Sequence, residues 1–128
     1  MRRNLYETRG RAAISRLLAR ERRYLSAHEV HRLLDQERAA ISLSTVYRTL
    51  ELLESRGDVS SRTGEDGESA FVSCGGAHHH HAICRACGLV EDVDCAAMEG
   101  FSAALDRHHG FELGDHALEF FGRCRRCR

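Results

Sequence analysis

The sequence predicts an α+β chain in two parts, and three observations carry that reading. Three short amphipathic segments with helix-capping signals occupy the residues before Gly57. Two alternating apolar runs then flank the turn-forming stretch Gly64-Glu65-Asp66-Gly67. Finally, two Cys-x-x-Cys knuckles bracket a strand, helix and strand pattern in the C-terminal half. Three helices followed by a hairpin describe a winged helix-turn-helix over residues 1–73. The remainder, 74–128, reads as a small α/β domain suited to metal binding and dimerisation.

In residues 7–20, Ala13, Ile14, Leu17 and Leu18 recur on a 3.6-residue period among arginines, which predicts a first helix. Ser26 stands three residues before Glu29, the capping-box spacing, and Val30, Leu33 and Leu34 mark the buried face of a second helix ending near Gln36. A third helix starts after Ser42 or Ser44, carries Val46, Leu50 and Leu53 inward, and stops at Gly57. The hairpin pairs residues 59–62 with 69–73, where Ala70 and Val72 are opposed in phase to Phe71. Beyond it, residues 78–84 are extended, Arg85-Ala86-Cys87-Gly88 turns, and residues 89–93 form a strand. Residues 96–109 carry Met98, Phe101 and Leu105 at helical spacing before Gly110, and a last strand spans residues 116–122. Such a sheet has unpaired edges and a marginal core, so a homodimer is expected.

The 128 residues hold 19 basic and 19 acidic side chains, yet neutrality conceals opposed halves. Residues 1–56 have 12 arginines against seven acids, and residues 57–128 have seven against 12. A basic half can meet a polyanion, here double-stranded DNA. No apolar run approaches the roughly 20 residues of a membrane span, and no secretory signal pattern is present, so a cytoplasmic protein is expected, with no membrane partner. Six cysteines in that compartment favour metal over disulfides.

Cys84-x-x-Cys87 and Cys124-x-x-Cys127 can aim four thiolates at one tetrahedral zinc. Redox chemistry or disulfides are the rival reading. In a strand, His78-His79-His80-His81 sends His79 and His81 to one side and His78 and His80 to the other, enough for two metal sites. Cys74 is within reach of the first face, while Glu99 and His116 remain for the second. His28-Glu29-Val30-His31 lacks the HExxH spacing and reads as helix surface, and Cys95 belongs to no pair and reads as a small helix-start residue. Nothing supplies an open metal position beside a general base, so no enzyme and no small-molecule substrate are expected. A zinc metalloenzyme or thiol redox protein is the alternative from another class. On the third helix Tyr47 and Arg48 lie off the apolar stripe, beside Thr45, where they can read or hold DNA.

Ser44-Thr45-Val46-Tyr47-Arg48-Thr49-Leu50, the four-histidine run, Cys84-Arg85-Ala86-Cys87-Gly88, and the stretch from His116 through Phe121-Gly122-Arg123-Cys124-Arg125-Arg126-Cys127 together resemble the Fur family of bacterial metal-responsive repressors. Within it, the chain looks most like the zinc uptake regulators, Zur, of actinobacteria. The resemblance implies a homodimeric repressor in which zinc acts as corepressor and the closed dimer binds palindromic operators of zinc uptake genes. It implies structural zinc on Cys84, Cys87, Cys124 and Cys127, a sensing site with Cys74, His79 and His81, and a second regulatory site with His78, His80, Glu99 and His116. Tyr47, Arg48 and Thr45, with Arg9 and Arg11 near the arm at Thr8-Arg9, match DNA-contacting positions. One departure is Ser60, where similar zinc regulators have an aspartate as fourth sensing ligand. Either water, Asp58 or a wing acid (Glu65, Asp66 or Glu68) completes that site, or its affinity and metal choice differ. Iron-sensing relatives have histidine at Tyr24 and an acid at Val72, while nickel and peroxide sensing stay open.

Overall fold

The computed structural model describes residues 2–74, 79–114 and 118–128. They form two compact units, Met1–Gly76 and Ala77–Arg128.

In the first unit, α1 (Arg2–Glu21), α2 (Ala27–Gln36) and α3 (Leu43–Ser55) pack with a three-stranded sheet ordered β1 (Leu25–Ser26), β3 (Ser69–Ser73), β2 (Val59–Thr63). Helix α1 begins at Arg2, ahead of the expected start at Glu7, and Thr8 and Arg9 lie within it. Ser26 starts α2 through a complete capping box: its hydroxyl accepts from the Glu29 amide, and the Glu29 carboxylate accepts from the Ser26 amide. Glu29 thus has a structural task, in keeping with the reading of that segment as helix surface. Ser42, of the two serines considered, caps α3 by accepting from the Thr45 amide at 3.2 Å.

The end of α3 is fixed by Gly57, at φ +79°, a left-handed conformation natural to glycine. The Gly57 amide donates to the Glu54 carbonyl and the Asp58 amide to the Leu53 carbonyl, the paired bonds of a Schellman stop. Strands β2 and β3 follow as an antiparallel hairpin with Ser61 opposite Phe71, and Gly67, also at positive φ, closes its turn. Phe71 joins a core of Ile14, Leu17, Leu18, Leu25, Val30, Leu34, Val46, Leu50 and Leu53, so one apolar cluster ties all three helices to the sheet. Val72, on the other face of β3, is buried as well.

The second unit has a sheet ordered β5 (Val90–Asp94), β4 (His79–Cys84), β6 (Glu119–Gly122), antiparallel between β4 and β5 and parallel between β4 and β6. A 3-10 turn, Cys95–Met98, leads into α4 (Glu99–His109), which ends at Gly110 in a left-handed conformation. The expected helix is present, but none of the residues of α4 is buried and Phe101, on its apolar stripe, is 52% exposed. Among the described residues of this unit, the buried apolar side chains are Cys84 and Val90.

Candidate metal centre and nucleic-acid interface

The parallel register that sets Cys84 opposite Gly122 brings the two knuckles together across 36 intervening residues. Cys84 closes β4 and Cys87 sits in the turn after it, where Gly88 at positive φ sends its amide back to the Cys84 carbonyl. On the other side the Arg128 amide bonds the Cys124 carbonyl in the same way, joined by the Cys127 amide, and the Arg85 amide clips the first knuckle to the Gly122 carbonyl. The four sulfurs lie within 4.8 Å of one another. The Cys87 and Cys124 sulfurs are 3.7 Å apart, and tetrahedral zinc with Zn–S bonds of about 2.3 Å requires S···S edges of about 3.8 Å. None of the six cysteines is disulfide-bonded, and 3.7 Å is far beyond a covalent S–S bond of about 2.05 Å.

The electrostatics suit a cation. Backbone amides, led by that of Cys124 at 3.3 Å and joined by those of Cys87 and Ala86, draw the Cys84 thiol down to about 6. Burial pushes Cys124 upward, but hydrogen bonds from Cys127, the Arg126 amide and Cys87 outweigh it and leave it lowered. Cys127 is pushed up to about 12, because its thiol is engaged by Cys124 and Cys87 and is also desolvated. Four sulfurs this close cannot all ionise unless a positive charge sits among them.

The sensing residues expected from the sequence fall in both units. In the first, Cys74 follows β3, its amide bonded to the Asp58 carbonyl, and its sulfur is 3.2 Å from the Ser60 hydroxyl. The substituted position is therefore beside the sulfur. Glu65, Asp66 and Glu68 stand at the far end of the hairpin, roughly 17 Å along the strand from Cys74. In the second unit, β4 pairs His79 with Asp94, His80 with Val93 and His81 with Asp92. His81 is buried, and its Nε2 lies 3.6 Å from a carboxylate that sequence reasoning missed, Asp92 Oδ1. Its signal was the acid-rich strand after a short turn, since the length of that turn decides which acid faces which histidine. His80, buried on the opposite face, has Nε2 at 3.5 Å from Cys95 Sγ. Glu99 is exposed at the first position of α4, while His78 and His116 lie outside the described residues.

The DNA-reading candidates gather on α3. Val46, Thr49 and Leu50 are buried, leaving Tyr47 and Arg48 exposed. Tyr47 is 42% exposed and stands edge-on to the His28 ring of α2, with centroids 6.2 Å apart. The Thr45 hydroxyl accepts from Ser42 at 2.9 Å and from the Arg48 guanidinium at 3.4 Å, so the first turn is ordered locally. Arg9 is exposed and Arg11 half-buried on α1.

A family model described as the ferric uptake regulator family matches residues 2–121. The chain belongs to the ferric uptake regulator family. Relatives include a zinc uptake regulation protein of Mycobacterium tuberculosis (strain ATCC 25618 / H37Rv), 41% identical over 94% of this chain and 93% of the relative. A ferric uptake regulation protein of Bacillus subtilis (strain 168) is 38% identical over 91% of this chain and 80% of the relative. Among solved structures, FurB from M. tuberculosis, described as a zinc uptake regulator, shares 40% identity with a TM-score of 0.59, covering 97% of this chain and 96% of that one. Members of this family named for different metals are thus almost equally similar overall, and metal choice rests on individual donors.

Proposed function

We propose that this chain is a zinc-dependent transcriptional repressor of the ferric uptake regulator family, acting in the cytoplasm as a homodimer on palindromic operators of zinc uptake genes, without enzymatic activity. The observation that carries this reading is the donor set. One chain joins an exposed Tyr47–Arg48 helix face to a four-thiol cluster of zinc dimensions and to a histidine-bearing strand. Mixed sulfur and nitrogen donors suit zinc, and Tyr24 stands where iron-sensing relatives are expected to carry histidine.

In this reading Cys84, Cys87, Cys124 and Cys127 hold a structural zinc that substitutes for missing apolar core. Cys74 of the first unit, with His79 and His81 of the second, forms the sensing site. His78, His80, Glu99 and His116 form a second regulatory site. Asp92 beside His81 supports the sensing site either as a donor or by fixing the imidazole, as carboxylate partners of metal-bound histidines do. Bound zinc would supply a fixed coordination geometry to these donors, and a coupling of about 1–3 kcal/mol between zinc and operator is enough to govern operator binding.

Arg48 reads a base edge, Tyr47 packs on the DNA, Thr45 holds the first turn of α3, and Arg9 and Arg11 add phosphate contacts from α1. Dimerisation is supported by exposed Phe101, Phe111, Phe120 and Phe121 and by β6, an edge strand exposed throughout. Operator binding by the purified dimer, measured across buffered free zinc with nickel and iron(II) in parallel, tests the proposal. Tight binding with zinc alone is expected, and equal binding with zinc and with chelator would overturn it.

A further inference from the structure

Tyr47 and Arg48 face outward side by side on α3, and each is held by a different part of the first unit. Arg48 is held from within its own helix, its guanidinium 3.4 Å from the Thr45 hydroxyl, which in turn accepts from Ser42. Tyr47 is met instead by His28 of α2, with ring centroids 6.2 Å apart and planes at 89°. Edge-on pairs with centroids about 4.5–7 Å apart are a favoured aromatic geometry. Among the described residues neither side chain makes a hydrogen bond or an ion pair, so the ring contact is the directional interaction of both.

The position of the imidazole is set by local structure. His28 is the second residue of α2, between buried Ala27 and Glu29, whose carboxylate closes the capping box on Ser26. The His28 side chain itself is exposed, as is that of Tyr47. In a helix-turn-helix the helix before the recognition helix crosses the DNA backbone, so the first turn of α2 beside Tyr47 belongs to the DNA-facing side of the unit. An exposed tyrosine loses rotamer freedom when DNA closes over it, and ordering one such side chain lowers affinity by about 2–10-fold. A ring set before DNA arrives avoids that loss.

We infer that His28 is a positioning residue for operator recognition: its ring sets the orientation of Tyr47 before DNA binds, and through Tyr47 it raises operator affinity. The inference rests on the proposed reading that Tyr47 packs on operator DNA, and extends it to a residue that the sequence reads as helix surface. The rival role for His28 is a phosphate contact of its own, made by a ring nitrogen and independent of Tyr47.

A double-mutant cycle separates the two roles. Operator affinity of the full-length dimer is titrated with zinc present for the unaltered chain, His28→Ala, Tyr47→Ala and the double variant, with melting temperature and zinc content followed alongside. His28→Ala is expected to weaken binding by about 2–10-fold per half-site with melting temperature and zinc content unchanged, and to have no effect once Tyr47 is alanine. His28→Phe keeps a ring and loses both nitrogens, and is expected to bind within about twofold of the unaltered chain. In NMR spectra without DNA, His28→Ala is expected to shift the Tyr47 ring protons, because the imidazole ring current is lost. An undiminished effect of His28→Ala in the Tyr47→Ala background, or failure of His28→Phe to bind as the unaltered chain does, would overturn the positioning role and favour the phosphate contact. Operator affinity indifferent to His28→Ala would overturn it too, while weakened binding by Tyr47→Ala would leave the role of Tyr47 standing. If Tyr47→Ala itself leaves affinity unchanged, the reading of Tyr47 fails and the role of His28 with it.

Discussion

Replacing Cys124 with serine should unfold the second unit while sparing the first. Among its described residues, the second unit buries Cys84 and Val90 as its apolar side chains, beside His80 and His81. Burying a valine contributes about 1.5–3 kcal/mol, whereas fixing each backbone residue costs about 1–2 kcal/mol, so apolar packing within one copy cannot hold this unit together. A structural zinc contributes about 10–16 kcal/mol of apparent binding energy, comparable with the entire stability of an ordinary domain, about 5–15 kcal/mol. Cys124 supplies one of four sulfurs, and its amide also donates to Cys84 Sγ. Its loss forfeits on the order of a quarter of the metal's contribution, roughly 2.5–4 kcal/mol. The assay is zinc content together with amide hydrogen exchange. Rapid exchange is expected through β5 and β6, with protection retained in α2 and α3, whose side chains belong to the core of the first unit. A Cys124→Ser protein that keeps its full zinc complement and protected β5 amides would refute the reasoning, as would equal loss of protection in α3.

Other consequences follow from single contacts. Tyr47→Ala and Arg48→Ala should each weaken operator binding by about 1–3 kcal/mol in titrations with zinc present, with zinc content and melting temperature unchanged because both side chains are exposed. Ser26→Ala removes half of the capping box and should lower the unfolding free energy of the first unit by about 1 kcal/mol in denaturant titration. Asp92→Asn should raise the free zinc needed for half-maximal operator binding by roughly 10–100-fold, leaving the four-cysteine zinc in place; an unshifted curve would separate Asp92 from sensing.

The elements visible in the sequence were those encoded locally. Apolar period, Ser26 and Ser42 caps, and the Gly57 stop located α2 and α3 closely, because each signal lies within a few residues of the backbone group it satisfies. Strand β1 escaped notice because two residues carry no period, and its existence depends on β3 more than 40 residues later. The parallel pairing of β4 with β6 is equally non-local, although the twin knuckles hinted at it. The stripe on α4 was legible as a helical period, but its exposure was not, since periodicity marks an apolar face without saying what covers it. The four-cysteine cluster was legible because each Cys-x-x-Cys pair is a local turn, whereas Asp92 and Cys95 meet their histidines only through the register and ending of β5.

The central claim is that zinc and operator DNA bind to a shared conformation, and thermodynamic linkage makes it measurable from either side. The most direct measurement is the zinc affinity of the sensing site with operator DNA present and absent, the four-cysteine site being filled throughout. Operator should tighten zinc by the same factor by which zinc tightens operator, about 5–150-fold for a coupling of 1–3 kcal/mol. Zinc affinity indifferent to saturating operator would contradict corepression, whatever the metal content of the purified protein.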